Sequence, residues 1–101
     1  MKKSRVKDKS KTKKIDSPIR VGNSVLIRSV THYYTGKIAL VTKDEIVLTD
    51  AAWVADTGRF SAALMSGVFA EVEPYPDPVT VGRGAVCDVT NWPHALPREV
   101  K

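Results

Sequence analysis

A small set of carboxylate, nucleophilic and imidazole side chains supplies the candidates for covalent or acid–base chemistry in this sequence. They are Asp50, Asp56, Asp88, Ser61, Cys87, His32 and His94. Paired carboxylates act as general acid and base, or as metal ligands, only when the fold holds them together. Nothing in the spacing of the aspartates requires such proximity, so turn-forming or solvated roles are favoured. The serine, the cysteine and the histidines match no nucleophile motif, and the sequence therefore predicts no catalytic residues and no enzymatic activity.

Metal binding and disulfide bonding are also limited by composition. Cys87 is the single cysteine, so the chain cannot form an intrachain disulfide or a cysteine-rich zinc site. With only His32 and His94 beside it, we predict no metal site and no cofactor. Cys87 lies in an apolar run with Val86 and Val89, where we expect it to be a small buried hydrophobic residue.

Three adjacent side chains, His32, Tyr33 and Tyr34, could stack on nucleic-acid bases. Stacking contributes roughly 1 to 3 kcal/mol per base, which is enough for a weak binder. It would require the rings to share an exposed face with Arg28 or Lys37. Alternation along a strand instead places neighbouring side chains on opposite faces, and this favours one tyrosine at the core and the other at the surface.

Two further candidates have a binding interpretation and a structural one. Arg83 stands between Gly82 and Gly84, which would let the backbone approach an anion closely. The context of a phosphate-binding loop is missing, so a hairpin turn is favoured. Trp92 would be an apolar anchor for a partner if it were exposed. The core is the favoured place for the large apolar side chains as a group, Trp53, Phe60, Leu64, Phe69 and Trp92.

The strongest signal in the chain is a basic N-terminal arm. Residues 1–20 hold nine basic and two acidic side chains, a net charge of +7, whereas residues 21–101 hold seven basic and nine acidic ones, a net charge of −2. Such an arm seeks a polyanion or an acidic protein surface. Its composition cannot support a core, so we predict a disordered, flexible arm over residues 1–20 and a small β-domain over residues 21–101. The arm residues expected to bind are Lys2, Lys3, Arg5, Lys7, Lys9, Lys11, Lys13 and Lys14.

Short runs rich in Val, Ile and Leu predict the elements of the domain. Strands are expected at 24–30, 36–41, 45–49, 68–73, 79–81 and 85–90, with a hairpin across Thr42-Lys43-Asp44. Residues 60–66 fit a short helix that Gly67 terminates. A proline-rich loop follows, and the tail from Pro93 is expected to be irregular. The pattern predicts a mainly β fold, a small SH3-like or OB-like antiparallel barrel or bent sheet with one short helix.

One stretch combines these elements in a recognisable order. A strand ending in an arginine precedes a glycine-opened hairpin, an LxDA step, an aromatic segment and a helix with the spacing G-x-x-S-x-x-L-x-x-G. The residues concerned are Arg28, Gly36, Leu48, Asp50, Ala51, Trp53, Gly58, Ser61, Leu64 and Gly67. Over residues 24–67 this order resembles a family of small phage and prophage proteins of unassigned function. The resemblance implies a phage-encoded accessory protein and transfers no active-site residues.

Three functional hypotheses follow. The first is a non-enzymatic structural protein, a minor or decoration component of a phage head that its basic arm anchors to the capsid or another large assembly. The second is a module that binds DNA or RNA through the arm and the 32–34 aromatic residues. The third is a homo-oligomer that sequesters a nucleotide-like signal in a pocket lined by Arg59 or Arg83. The sequence contains no apolar run of the ~20 residues that span a bilayer and no secretory signal, so we expect no membrane partner and a location in the host cytoplasm or the virion.

Overall fold

The computed structural model describes residues 15–101, which form six antiparallel strands and one α-helix. The predicted arm lies largely outside the described residues. The elements, in chain order, are β1 (Ser24–Ser29), β2 (Tyr33–Val41), β3 (Glu45–Asp56), α1 (Phe60–Ser66), β4 (Glu71–Pro74), β5 (Val79–Gly82), a short 3-10 turn (Arg83–Ala85) and β6 (Val86–Asn91).

The strands form a single sheet in the order β4-β3-β2-β1-β6, and β5 also pairs with β3. β3 is twelve residues long and has two partners along one edge: its first part pairs with β5 from Glu45 to Leu48, and its second part pairs with β4 from Ala52 onward. Asp50 lies between these parts in the left-handed conformation, with φ 53°. The prediction of a mainly β fold built on a bent antiparallel sheet is confirmed.

The predicted hairpin across residues 42–44 is confirmed. Lys37 lies opposite Thr49 and Val41 opposite Ile46, with one register shift between them. The hairpin is longer than the sequence indicated, because β2 begins at Tyr33 and β3 continues past Asp50. A local shift in register at this aspartate lets the chain stay in the sheet instead of turning away from it.

Each face of the sheet carries its own apolar core. Successive residues of β1 point to opposite faces, so Val25 and Ile27 enter one core while Leu26 enters the other. The first core is completed by Ile38, Ile46, Leu48, Ala51 and Val81. The second is completed by Ala52, Val54, Ala63, Phe69, Val72 and Trp92. Burial on both faces explains why β1 reads as a continuous apolar run rather than an alternating one.

The helix and its glycine terminator occur where the sequence predicts them. Gly67 adopts φ 77°, and its N–H donates to the Ala63 carbonyl at 2.8 Å. The helix packs on the second core through Ala63, beside Phe69 and Trp92, whose rings stack at 5.0 Å. The tail after β6 has no helix or strand, as expected, but it is tied to the sheet by two backbone hydrogen bonds between Lys101 and Val72.

Several burial and boundary predictions are wrong. Trp53 and Phe60 were expected in the core, yet 36% and 44% of their surfaces are exposed, and neither belongs to the two core clusters. Trp53 lies beside Tyr34 and Phe60 beside Tyr33, so each is at the margin of a core. Cys87 is also exposed. It is the extra residue of a bulge in β6, where Arg28 pairs with Asp88 and the next residue of β1 pairs with Val86. The strand expected at 68–73 is displaced to Glu71–Pro74.

We predict that Gly67→Ala destabilises the protein much more than Gly22→Ala does. Both glycines have positive φ, so both substitutions carry the backbone cost of about 1 kcal/mol. At Gly67 the added Cβ would also lie 2.5 Å from His94 Cγ, whereas at Gly22 it meets nothing within 4 Å. Urea denaturation of the two variants measures the difference. Equal losses of unfolding free energy would contradict the close packing of the tail against the helix end.

Candidate functional site

The structure separates the three aromatic residues expected to act together. Tyr33 and Tyr34 are neighbours on β2 and point to opposite faces, as strand alternation requires. Tyr34 packs on the first core, whereas Tyr33 packs on the second. His32 lies with Tyr34, at 4.4 Å between ring centroids. The surface of three adjacent stacking rings that the nucleic-acid hypothesis required therefore does not form, and the favoured separation of the tyrosines by strand alternation is found, with each tyrosine packed on a different core.

A different aromatic surface forms on the face of the first core. Its members are His32, Tyr34, Trp53 and Tyr75, and we call it the aromatic face. Trp53 lies opposite Tyr34 in the β2–β3 ladder and meets His32 edge to face at 5.7 Å. Tyr75 is stacked with Tyr34 at 6.4 Å. Trp53 and Tyr75 were not among the residues expected to bind, since their cross-strand neighbours could be inferred only if β3 was known to continue beyond Asp50.

His32 is held at the end of β1 by a tight turn. The Ser29 N–H and hydroxyl both donate to the His32 carbonyl, at 2.8 Å each, and Nδ1 of the imidazole lies 2.8 Å from the Thr31 hydroxyl. Among the described residues, Nε2 is buried and has no hydrogen-bond partner. Burial lowers the pKa of His32, because the charged imidazolium would lose part of its hydration.

The surroundings of the aromatic face are acidic. Glu73 lies directly opposite Trp53 in the β3–β4 ladder, and Glu71 lies two positions along the same side of β4. Both side chains are exposed. Residues 44–82 hold seven acidic side chains and a single basic one, Arg59. Phosphates on a nucleic acid would be repelled here, so the charge does not favour base stacking at this surface.

Basic and aromatic side chains do meet on the opposite face, but the charge there is already paired. Arg28 lies opposite Tyr33, whose ring is 5.7 Å from that of Phe60. The guanidinium of Arg28 makes a salt bridge of 2.7 Å with Asp88, and this hydrogen-bonded partner raises the pKa of Arg28 further. The arginine that was expected to support stacking is therefore neutralised by a neighbouring strand.

The other two candidates have structural roles. Arg83 donates from Nη1 to the Thr42 carbonyl at 2.8 Å, and its backbone N–H donates to the Asp44 carbonyl at 2.9 Å. It thus joins the 3-10 turn to the β2–β3 hairpin. The expected hairpin turn at Arg83 is wrong, because β5 pairs with β3 and β6 pairs with β1, so the turn connects two strands that do not pair with each other. Trp92 is 3% exposed and donates its indole N–H to the Ala95 carbonyl. It is a core residue, and its ring is not presented as an anchor.

The three candidate carboxylates lie apart. Asp50 accepts a forked pair of hydrogen bonds from Arg98, Asp88 pairs with Arg28, and Asp56 accepts from the Gly58 N–H at 2.8 Å. No group of three or more His, Cys, Asp or Glu side chains within residues 15–101 is arranged to hold a metal ion. Each carboxylate thus fixes a turn or a neighbouring segment, and the fold does not assemble them into one site.

Two cavities of about 530 and 520 Å³ lie beside the C-terminal segment. The first is an apolar groove between the end of α1 and the tail. The second is polar and is lined by Lys37, Asp50 and Arg98. Neither cavity is lined by Arg59 or Arg83, the residues that the ligand-sequestering hypothesis required.

Comparison with known proteins gives no relative. No protein-family model matches this chain, and no match is found among curated proteins or among solved structures. Within residues 15–101 no helix is long and apolar enough to cross a membrane.

We predict that stability falls as the pH drops below about 6.5 and that His32 causes part of the fall. The lowered pKa of the folded-state imidazole means that the unfolded chain binds the proton more readily. The loss begins near the unfolded value of 6.5 and levels off below the folded one. Thermal melts of the wild type and His32→Phe at neutral and acid pH measure it. All other titratable groups are common to both proteins, and an identical pH dependence would contradict the assignment.

Proposed function

We propose that this chain is a non-enzymatic attachment protein whose basic N-terminal segment anchors it to a large assembly. A phage head is the assembly that the resemblance over residues 24–67 suggests. In this proposal the β-domain is a compact unit carried by the segment, and it adds a surface to the assembly rather than a chemical activity. The separation of the three candidate carboxylates described above supports a role without catalysis.

The observation that carries the proposal is the segregation of charge along the chain. Residues 1–14 hold eight basic side chains and one acidic side chain, a net charge of +7. Residues 15–101 hold eight basic and ten acidic side chains, a net charge of −2. An anionic surface would therefore attract one end of the molecule and weakly repel the rest, which orients the domain away from the surface.

The internal contacts of the domain strengthen this argument. Four arginines among residues 15–101 donate to acceptors in the same part of the chain, and aspartates balance two of their charges. Arg28 and Arg98 pair with aspartates, while Arg20 and Arg83 donate to the carbonyls of Ser17 and Thr42 at 2.7 and 2.8 Å. The attraction for an external anion consequently falls mainly on residues 1–14.

Nucleic acid is the main competing target for the same segment. Eight cations would bind phosphates with an affinity that falls steeply with salt but carries no sequence specificity. The aromatic face does not add to this function, because its neighbours are carboxylates. Any nucleic-acid binding would then depend on the segment alone.

We predict that replacing Lys9, Lys11, Lys13 and Lys14 with Gln weakens attachment to purified phage heads, measured by co-sedimentation. Four exposed ion pairs at about 0.5 kcal/mol each correspond to roughly a thirtyfold loss of affinity. A matched control replaces Lys37, Lys43, Arg59 and Lys101 with Gln, which removes the same charge from the domain. The control should bind almost as well as the wild type.

Empty and DNA-filled heads distinguish the two targets. Equal binding to both, insensitive to added duplex DNA, supports attachment to the protein shell. Binding that requires filled heads, or that nuclease removes, would replace the proposal with the nucleic-acid function. Equal losses in the two charge variants would show that the segment is not the anchor.

A further inference from the structure

The aromatic face is an unpartnered surface within the part of the chain that the structure describes. Trp53 exposes 36% of its surface there, at the level of the sheet where Tyr34 and Glu73 flank it on the neighbouring strands. Directly opposed side chains on adjacent strands lie about 5 Å apart at Cβ. A carboxylate thus stands next to an exposed indole ring.

An exposed indole ring beside a carboxylate favours cationic ligands. The face of an indole ring attracts a cation, with about 0.5 to 1 kcal/mol at exposed sites. Glu71 and Glu73 add charge of the complementary sign along the edge of the same face. Ammonium and guanidinium groups on an extended polypeptide match this surface, whereas phosphates and carboxylates do not.

We propose that the aromatic face docks the Lys-rich segment of residues 2–14 from the same chain. Lysine and arginine side chains of the segment contact the Trp53 ring, and their charges pair with Glu71 and Glu73. The surface and the segment carry opposite charges, and the sequence supplies eight cations for two carboxylates. Docking holds the segment against its own domain.

The path of the chain into the domain makes an intramolecular contact accessible. Ile19 packs on the first core, the same core that Tyr34 and Tyr75 cover, so the chain approaches the sheet on the side of the aromatic face. The chain enters β1 at Ser24, which lies about 15 Å from Trp53. This distance is three residues along β1 combined with two strand spacings across the sheet. Fourteen extended residues reach at most about 50 Å. A tethered segment also binds at a high effective concentration, which favours it over segments of other molecules.

Docking would regulate attachment without being required for it. A segment held on its own domain is withheld from an external anionic surface, so the apparent affinity falls in proportion to the docked fraction. The inference goes beyond the proposed function and is tested on the isolated chain, so either can fail without the other.

The test uses the indole N–H resonances of the two tryptophans in the full chain, recorded by NMR at low and high salt. The salt-dependent change in the Trp53 resonance measures docking, since screening weakens exposed charge contacts. Trp92 is buried and serves as an internal reference. A variant with every basic residue of 2–14 replaced by Gln gives the undocked baseline. We expect a change at Trp53 in the wild type and none in this variant.

Two acidic double variants identify the surface. Glu71→Gln with Glu73→Gln should abolish most of the salt-dependent change at Trp53. Asp44→Asn with Glu45→Gln removes the same charge at the far end of β3 and should leave the change intact. The readout is a difference between two salt concentrations in one protein, so direct effects of each substitution on the resonance cancel.

Three results would overturn the proposal. One is a Trp53 resonance that responds to salt equally in the wild type and in the neutralised variant. Another is an equal effect of the two acidic double variants. The third is a response that disappears on dilution, which would assign the surface to the segment of a second copy. A response that persists on dilution and requires Glu71 and Glu73 supports docking within one chain.

Discussion

The structure depends on one strand, β3, which pairs with two different strands along a single edge. β3 pairs with β5 over its first part and with β4 over its second, and both partners lie on the same edge. A regular strand could not pair with both and still complete the two cores. The alternate positions of β3 that face one core before Asp50 must face the other core after it. The left-handed backbone at Asp50 and the register shift beside it produce this change in the face to which the side chains point. Asp50 is in turn held by Arg98 from the C-terminal tail.

The register shift at Asp50 also produces the aromatic face. Because β3 continues past Asp50, Trp53 is placed opposite Tyr34 and beside His32, while Val54 on the other side completes the second core. The same continuation allows β4 to pair, which brings Glu73 next to Trp53. The ring surface and its acidic border therefore arise from the same structural feature as the two cores, and neither is a separate addition to the fold.

The N-terminal segment and the domain carry net charges of opposite sign and therefore attract different kinds of surface. In the domain, Arg28 and Arg98 pair with aspartates, and carboxylates border the exposed indole of Trp53. The N-terminal segment has no comparable supply of acidic neighbours in its own sequence, with Asp8 as its single carboxylate. In the two proposals above, the cations of this segment bind either an anionic assembly or the acidic surface of their own domain, and ionic strength would shift the balance between them.

The sequence by itself determined the features that depend on neighbours along the chain. The hairpin across residues 42–44, the helix ended by Gly67 and the mainly β class follow from local patterns, and the structure has all three. The basic segment is likewise a property of composition. The separation of Tyr33 from Tyr34 followed from strand alternation alone.

Only the tertiary structure decided which distant side chains meet. Trp53 and Phe60 are large and apolar, so composition placed them in the core, yet the direction of β3 and the position of α1 expose them. The bulge that exposes Cys87, the pairing of Arg28 with Asp88 and the meeting of Tyr75 with Tyr34 depend on register between strands far apart in sequence. A shift of one residue in that register reverses the face of every side chain beyond it, and no local pattern fixes that shift.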